Sequence, residues 1–212
     1  MKKLILSIAL IVSALINAQA QTPVDGSFGA RVSWDLNSPA SNIPGMGNGS
    51  GISIGAIYDI PLYQNLYFEP GLSFFYNTMD VGPYNVNFTD EDLLGDGGSL
   101  RNCGFRVPLT FGYRIGLLDD IAISIFTGPQ LNVGLSMSEH FKHYKSGSLY
   151  SNGYNRLDAQ WLFGIKMHYQ DNFFAEIGGG IGMTNLVDND YSIFNHKHLR
   201  RNMFSIGVGY MF

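Results

Sequence analysis

From Arg201 to Phe212 the chain alternates without a break, with Phe204, Ile206, Val208, Tyr210 and Phe212 on one face and Arg201, Met203, Ser205, Gly207, Gly209 and Met211 on the other. Successive side chains of a strand point to opposite sides, so this stretch is a strand with one bulky apolar wall and one small or polar wall. The same division recurs along most of the chain. A soluble barrel would turn its bulky residues inward and its polar residues outward. Here the bulky residues share a face opposite glycines and charges, which is the polarity of a barrel whose solvent is lipid.

Eight such segments can be read. The first, about 27–36, turns Phe28, Val32, Trp34 and Leu36 outward and Arg31, Ser33 and Asp35 inward. The second, about 51–62, sets Ile52, Ile54, Tyr58 and Ile60 against Ser53, Gly55 and Asp59. The third, about 66–77, sets Phe68, Leu72, Phe74 and Tyr76 against Tyr67, Glu69, Ser73 and Asn77. The fourth, about 100–116, sets Phe105, Val107, Phe111 and Tyr113 against Arg106, Thr110 and Arg114. The fifth, about 121–136, sets Ile123, Ile125, Leu131 and Val133 against Ser124, Gln130 and Asn132. The sixth, about 157–169, separates Trp161, Phe163, Ile165, Met167 and Tyr169 from Asp158, Gln160, Lys166 and His168. The seventh, about 173–186, sets Ile177, Ile181 and Met183 against Glu176 and three glycines, and the carboxyl-terminal strand completes the set.

Short turns near Gln64, Asp119 and Asp171 alternate with long connections at about 37–50, 79–99, 137–156 and 187–198. A membrane-spanning strand needs only about 9–11 residues. An open sheet edge in hydrocarbon costs several kcal/mol per unpaired backbone group, so the sheet must close. The fold class expected is therefore all-β, an eight-stranded antiparallel up-and-down transmembrane β-barrel, with both termini on the short-turn, periplasmic side and the long loops extracellular. Tyr58, Tyr76, Tyr113, Trp161, Tyr169, Tyr210 and Phe212 are candidates for the interfacial aromatic girdles.

Composition agrees: 26 glycines, 12 tyrosines and 15 phenylalanines accompany only 14% charged residues. Lys2 and Lys3, an apolar run from Leu4 to Ile16 and Ala18-Gln19-Ala20 read as a cleaved signal peptide over residues 1–20, leaving one barrel domain over 21–212. The apolar run is too short for a retained membrane anchor. Removing Lys2 and Lys3 leaves 11 basic against 17 acidic residues, a formal charge of −6 that gives no reason to expect a nucleic-acid partner. Cys103 is the single cysteine, so no intramolecular disulfide forms; it falls on the lipid side near a strand end and reads as a small hydrophobe.

Phe105-Arg106-Val107-Pro108-Leu109 with Gly112-Tyr113-Arg114, then Thr127-Gly128-Pro129, then Gly182-Met183-Thr184-Asn185-Leu186 and the aromatic last strand resemble the outer-membrane beta-barrel domain family, porin-like and PorT-like, common in Bacteroidota. The resemblance spans essentially the mature chain. It implies the outer membrane of a Gram-negative bacterium, contact with outer-membrane lipid, and insertion by the barrel-assembly machinery, with Phe204, Ile206, Val208, Tyr210 and Phe212 as the assembly signal. The PorT-like branch is associated with protein secretion.

The inward charges are the nearest thing to a site. Arg31, Arg106, Arg114, Lys166 and Arg201 face Asp35, Asp59, Glu69, Asp158 and Glu176, five against five, with His168 on the same inner face. The interior of eight strands is just wide enough for side chains to fill. Balanced charges there form an ion-pair core, because an unpaired buried charge is expensive; the alternative is a narrow gated channel for ions or small solutes in which Arg106, Lys166 and Glu176 exchange partners. A catalytic arrangement of His168 with Ser124 and Asp158 lacks any feature that fixes their contact, so no enzyme is expected. Gly178-Gly179-Gly180-Ile181-Gly182 reads as small lumen residues rather than a phosphate loop.

The second long loop carries Asp80, Asp90, Glu91, Asp92 and Asp96, and the third His140, Lys142, His143 and Lys145. The acidic spacing is not that of a calcium loop, and His196 and His198 alone are a weak transition-metal signal, so no metal and no cofactor are expected. The function expected is a monomeric structural or interaction scaffold, with a narrow channel or a secretion accessory, engaging envelope proteins through the long loops, as alternatives.

Overall fold

The computed structural model describes residues 26–41, 45–82, 98–140, 149–151, 153–170, 172–188 and 198–212. Eight strands follow one another: β1 (Ser27–Ser41), β2 (Gly49–Tyr63), β3 (Leu66–Val81), β4 (Gly98–Leu118), β5 (Ile121–His140), β6 (Leu157–Tyr169), β7 (Phe173–Gly182) and β8 (Leu199–Met211). A 3-10 turn, Leu149–Ser151, precedes β6. Each strand pairs antiparallel with its neighbours in sequence, and β8 pairs with β1 to close the ring. The closing register aligns Gly29 with Met211 and Ala40 with Arg200, and the Phe212 N–H donates to the Phe28 carbonyl at 2.7 Å. The first and last strands therefore leave the barrel at the same end, that of the short turns. Gln64 and Gln170 hold φ of 50° and 51° in two of those turns, the left-handed geometry that a tight hairpin requires.

Alternation is the rule the sequence predicts. Outward residues such as Ile54, Phe111, Ile165 and Val208 are exposed, and inward ones such as Asp35, Arg106, Gln160 and Lys166 are buried. All the expected aromatics but Tyr58, which is half-buried, sort with Trp34 into two exposed bands. Tyr113, Tyr169, Tyr210 and Phe212 stand outward near the short turns, where Phe173 and Tyr210 meet edge to face at 4.9 Å and Tyr210 and Phe212 at 5.3 Å. Trp34, Tyr76 and Trp161 stand outward nearer the long loops.

Strand ends differ from the pattern-based bounds in two ways. β4 and β5 reach 21 and 20 residues, about twice the length a bilayer needs, because the ladder between Gly98 and His140 continues beyond the apolar wall. β7, in contrast, stops at Gly182 rather than Leu186. Thr184 and Asn185 end it by giving the backbone other partners: Thr184 Oγ accepts the Ala159 N–H at 2.8 Å, and Asn185 Oδ1 accepts the Leu199 N–H at 2.8 Å. Cys103 is outward as expected, yet it is half-exposed in a polar cleft rather than a buried hydrophobe. The segment 1–20, with Asp90, Glu91, Asp92, Asp96, Lys142, His143, Lys145 and His196, lies outside the described residues.

Candidate functional site

The ten inward charges form ion pairs in layers across the lumen. Nearest the short turns, Arg114 pairs with Asp59. Above them runs a four-member chain: Lys166 Nζ donates to both Glu69 oxygens at 2.7 and 2.6 Å, lies 3.6 Å from Glu176 Oε2, and Glu176 Oε1 accepts from Arg31 at 3.2 Å. Higher still, Arg106 donates to Asp35 Oδ2 at 2.8 Å, with Ser33 hydroxyl on the other Asp35 oxygen at 3.0 Å. Arg201 then donates to Asp158 Oδ2 at 2.7 Å, beside Asn132, Gln130 and Gln160, which link to one another.

Strand register explains why these groups meet. Lys166 sits opposite Glu176 on β7, and Asn132 opposite Asp158 on β6, so neighbouring strands deliver polar groups to the same height. The cross-lumen pairs, Lys166 with Glu69 and Arg106 with Asp35, cannot be read from strand order, because they depend on how the ring closes. Aromatic rings fill the space between layers. Phe75 has the Arg106 guanidinium at 5.1 Å and that of Arg201 at 5.3 Å, and Phe174 has Lys166 Nζ at 4.5 Å. Cations over aromatic faces gain about 0.5–2 kcal/mol each. A cavity of about 20 Å³ bounded by Arg31, Arg106 and Glu176 lies between these layers, room for about one water.

An apolar layer lies at each end of this polar column, and strand alternation predicts neither. At the long-loop end Met79, Leu100, Met137, Leu186, Val187 and Leu199, with Val81, Leu149 and Tyr154, form one buried cluster. At the short-turn end Ile57, Phe174 and Met211 form another. Their signal was present in the sequence: Ile57 lies in phase with Gly55 and Asp59, and Leu100 in phase with Arg106, so a bulky apolar residue falls on the small, polar face. Tyr150 lies against the upper layer, donates to Asn102 Oδ1 at 2.9 Å and stacks its ring 4.9 Å from the Arg156 guanidinium. Gly134 makes that possible, since a Cβ there would run into the Tyr150 ring. Burial pushes the Tyr150 hydroxyl up to about 12 from its ordinary value of 10.0.

His168 Nε2 lies 2.9 Å from Ser124 Oγ, so two members of the catalytic arrangement do meet. Asp158 does not join them. It is ten residues away on the same strand, roughly 33 Å along it, and is committed to Arg201, Asn132 and Thr184. Among the described residues no group of three or more His, Cys, Asp or Glu side chains is placed to hold a metal ion.

Residues 19–188 match the family described as outer membrane protein beta-barrel domain. The chain belongs to that family. Its outer-membrane location follows, and the exposed apolar wall is accordingly a lipid-facing one. No curated protein matches the sequence. Solved structures match in fold: Neisserial surface protein A at 16% identity and a TM-score of 0.51, covering 88% of this chain and 99% of that one, and OprG of Pseudomonas aeruginosa at 12% and 0.47, covering 89% and 97%. Ail, the attachment invasion locus protein of Yersinia pestis, matches at 10% and 0.43, covering 88% and 99%. At these identities the likeness is one of fold alone.

Proposed function

We propose that this outer-membrane barrel is a closed, monomeric scaffold that works through its long-loop end rather than through its lumen. One observation carries the reading: ten inward charges are paired and stacked between two apolar layers. An ion crossing that column would have to displace Met137, Leu186 and Leu199, then separate buried pairs, and breaking one buried pair costs about 3–5 kcal/mol. In this reading the termini are periplasmic and the long loops extracellular, in keeping with the alternation of short turns and long connections in outer-membrane barrels. Lipid surrounds the wall, and the long loops meet envelope or secretion proteins, as the resemblance to the PorT-like, Bacteroidota branch of the family suggests. The carboxyl-terminal face Phe204, Ile206, Val208, Tyr210 and Phe212 serves as the signal for the assembly machinery; all five are outward and exposed.

The barrel carries no chemistry of its own in this reading, because among the described residues no carboxylate pairs with His168 behind its contact with Ser124. The test is single-channel conductance of the folded chain in planar bilayers, after heat-modifiable gel mobility has verified a closed barrel. A folded, electrically silent barrel is expected. Discrete conductance steps that change when Arg106, Lys166 or Glu176 is neutralised would replace the scaffold with a narrow channel.

A further inference from the structure

Beyond its upper aromatic band the outward wall turns polar on β3, β4 and β5. A cleft of about 200 Å³ opens there on the outside of β3, β4 and β5, lined by Tyr76, Arg101, Cys103, Ser136, Ser138 and His140. Its origin is a bulge. The β4–β5 register passes from Gly104 opposite Gly134 to Cys103 opposite Ser136, so Leu135 is an extra residue. Below the bulge the odd-numbered residues Leu131 and Val133 face outward; above it Ser136, Ser138 and His140 do. A bulge re-aims side chains in this way, and here it sets hydroxyls where an unbroken strand would have placed Met137 and Glu139.

Arg101, in phase with Cys103 and Phe105 on β4, gives the cleft its charge. Arg101 stands between Thr78 on β3 and Ser138 on β5. Its Nε donates to Ser99 Oγ at 3.2 Å, and among the described residues no carboxylate pairs with it. The other four arginines and lysines of β1–β6 that face inward are each matched to an acid; this outward one is not. Immediately below lie Tyr76, Phe74 and Phe105, the lipid-facing wall.

We propose that this cleft binds the phosphate of a lipid headgroup in the leaflet that meets the long-loop end. The guanidinium fork takes two phosphate oxygens, the Ser136 and Ser138 hydroxyls donate to the remaining ones, and the acyl chains run down over Tyr76 and the Phe74–Phe105 pair, whose rings meet at 5.9 Å. A soluble phosphate would satisfy the cation and hydroxyls equally but would leave that apolar floor unused, which is why the lipid is the ligand assigned. The inference rests on the wall being lipid-facing, and is independent of whether the lumen conducts.

The test is native mass spectrometry of the chain extracted in mild detergent, titrated with phosphatidylglycerol, with diacylglycerol as a tail-matched lipid lacking phosphate, and with inorganic phosphate alone. One retained phosphatidylglycerol per barrel is expected. Losing a charge-assisted contact of about 1.5–3 kcal/mol corresponds to roughly tenfold or more in affinity, so Arg101→Ala should weaken retention by about tenfold. Arg200→Ala, an exposed arginine of β8 outside the cleft, should leave it unchanged. Should Arg101→Ala fail to fold, the double variant Ser136→Ala/Ser138→Ala, expected to weaken retention severalfold, takes its place. Equal retention by the cleft variants, an equal loss in Arg200→Ala, or retention of diacylglycerol as strong as that of phosphatidylglycerol would overturn the site. Arg101-dependent binding of inorganic phosphate with no gain from the acyl chains would overturn the lipid as its ligand.

Discussion

Lys166→Met is the sharpest probe of the lumen. The side chain is 1% exposed, and its ammonium bonds both oxygens of Glu69 and lies over the rings of Phe126 and Phe174 at 5.8 and 4.5 Å. Methionine preserves the length of the stem and can set its sulfur near those rings, so the substitution removes the charge and its ring contacts with little change in packed volume. Two carboxylates lose a partner, but unequally. Glu176 keeps Arg31 at 3.2 Å, whereas among the described residues no other ion pair involves Glu69. The uncompensated charge is therefore Glu69, and removing one member of a buried pair costs about 3–5 kcal/mol. If that account is right, Glu69→Gln added to Lys166→Met should return at least about 1.5 kcal/mol, within the coupling range of groups in contact. The assay is reversible urea unfolding in lipid vesicles, read by tryptophan fluorescence and by gel mobility, for both single variants and the double. A cost under about 1 kcal/mol for Lys166→Met, or strictly additive costs across the cycle, would refute the claim that this pair is desolvated and coupled.

Three further outcomes follow from other layers. Leu199, fully buried in the upper apolar cluster, should cost about 2–5 kcal/mol when cut to alanine, measured by the same unfolding assay, and the variant should stay electrically silent because the ion-pair layers beneath remain. Tyr150 stabilises the fold in its neutral form: its raised value means that its contribution is complete below about pH 10 and fades as pH rises towards about 12. Absorbance titration should show one phenol ionising late that is absent in Tyr150→Phe, and an unchanged titration would remove the buried contact with Asn102. Trp34 and Trp161 both face outward, so brominated acyl chains should quench nearly all tryptophan emission while a water-soluble quencher leaves it largely intact; the reverse pattern would contradict a lipid-facing wall.

Period-two alternation sufficed for the barrel because each strand's two walls have different solvents, and a slip of one residue would carry Arg106 into lipid or Phe105 into the polar lumen. That penalty is local, so it can be read from each strand alone. Pairings between adjacent strands follow from the hairpins. The contacts of Lys166 with Glu69 and of Arg106 with Asp35 span 97 and 71 residues, and they depend on the tilt and stagger of the closed ring, which no single strand encodes. The same reasoning explains the early end of β7. Thr184 and Asn185 lie in a run that alternates well enough for a strand, and only their side-chain hydrogen bonds to Ala159 and Leu199, set by tertiary approach, decide otherwise.

The exceptions to alternation locate the parts of the molecule that are not simply wall. Where apolar residues replace polar ones on the inner face, at Ile57, Leu100 and Met137, packed apolar clusters flank the charge column. Where polar residues replace apolar ones on the outer face, at Arg101, Ser136 and Ser138, a cleft opens towards the membrane surface. Both violations cluster near the ends of the barrel; between them the outward wall stays largely apolar, while Phe75, Phe126 and Leu162 set bulky apolar side chains among the inward polar ones. A uniform wall in the hydrocarbon and specialised rims is what the solvent demands: the central stretch has one apolar surrounding to satisfy, and only the ends meet water, headgroups or other proteins. Adaptation among barrels of this kind should therefore be sought at the rims, and in this chain the bulge at Leu135 creates such a rim with a single additional residue.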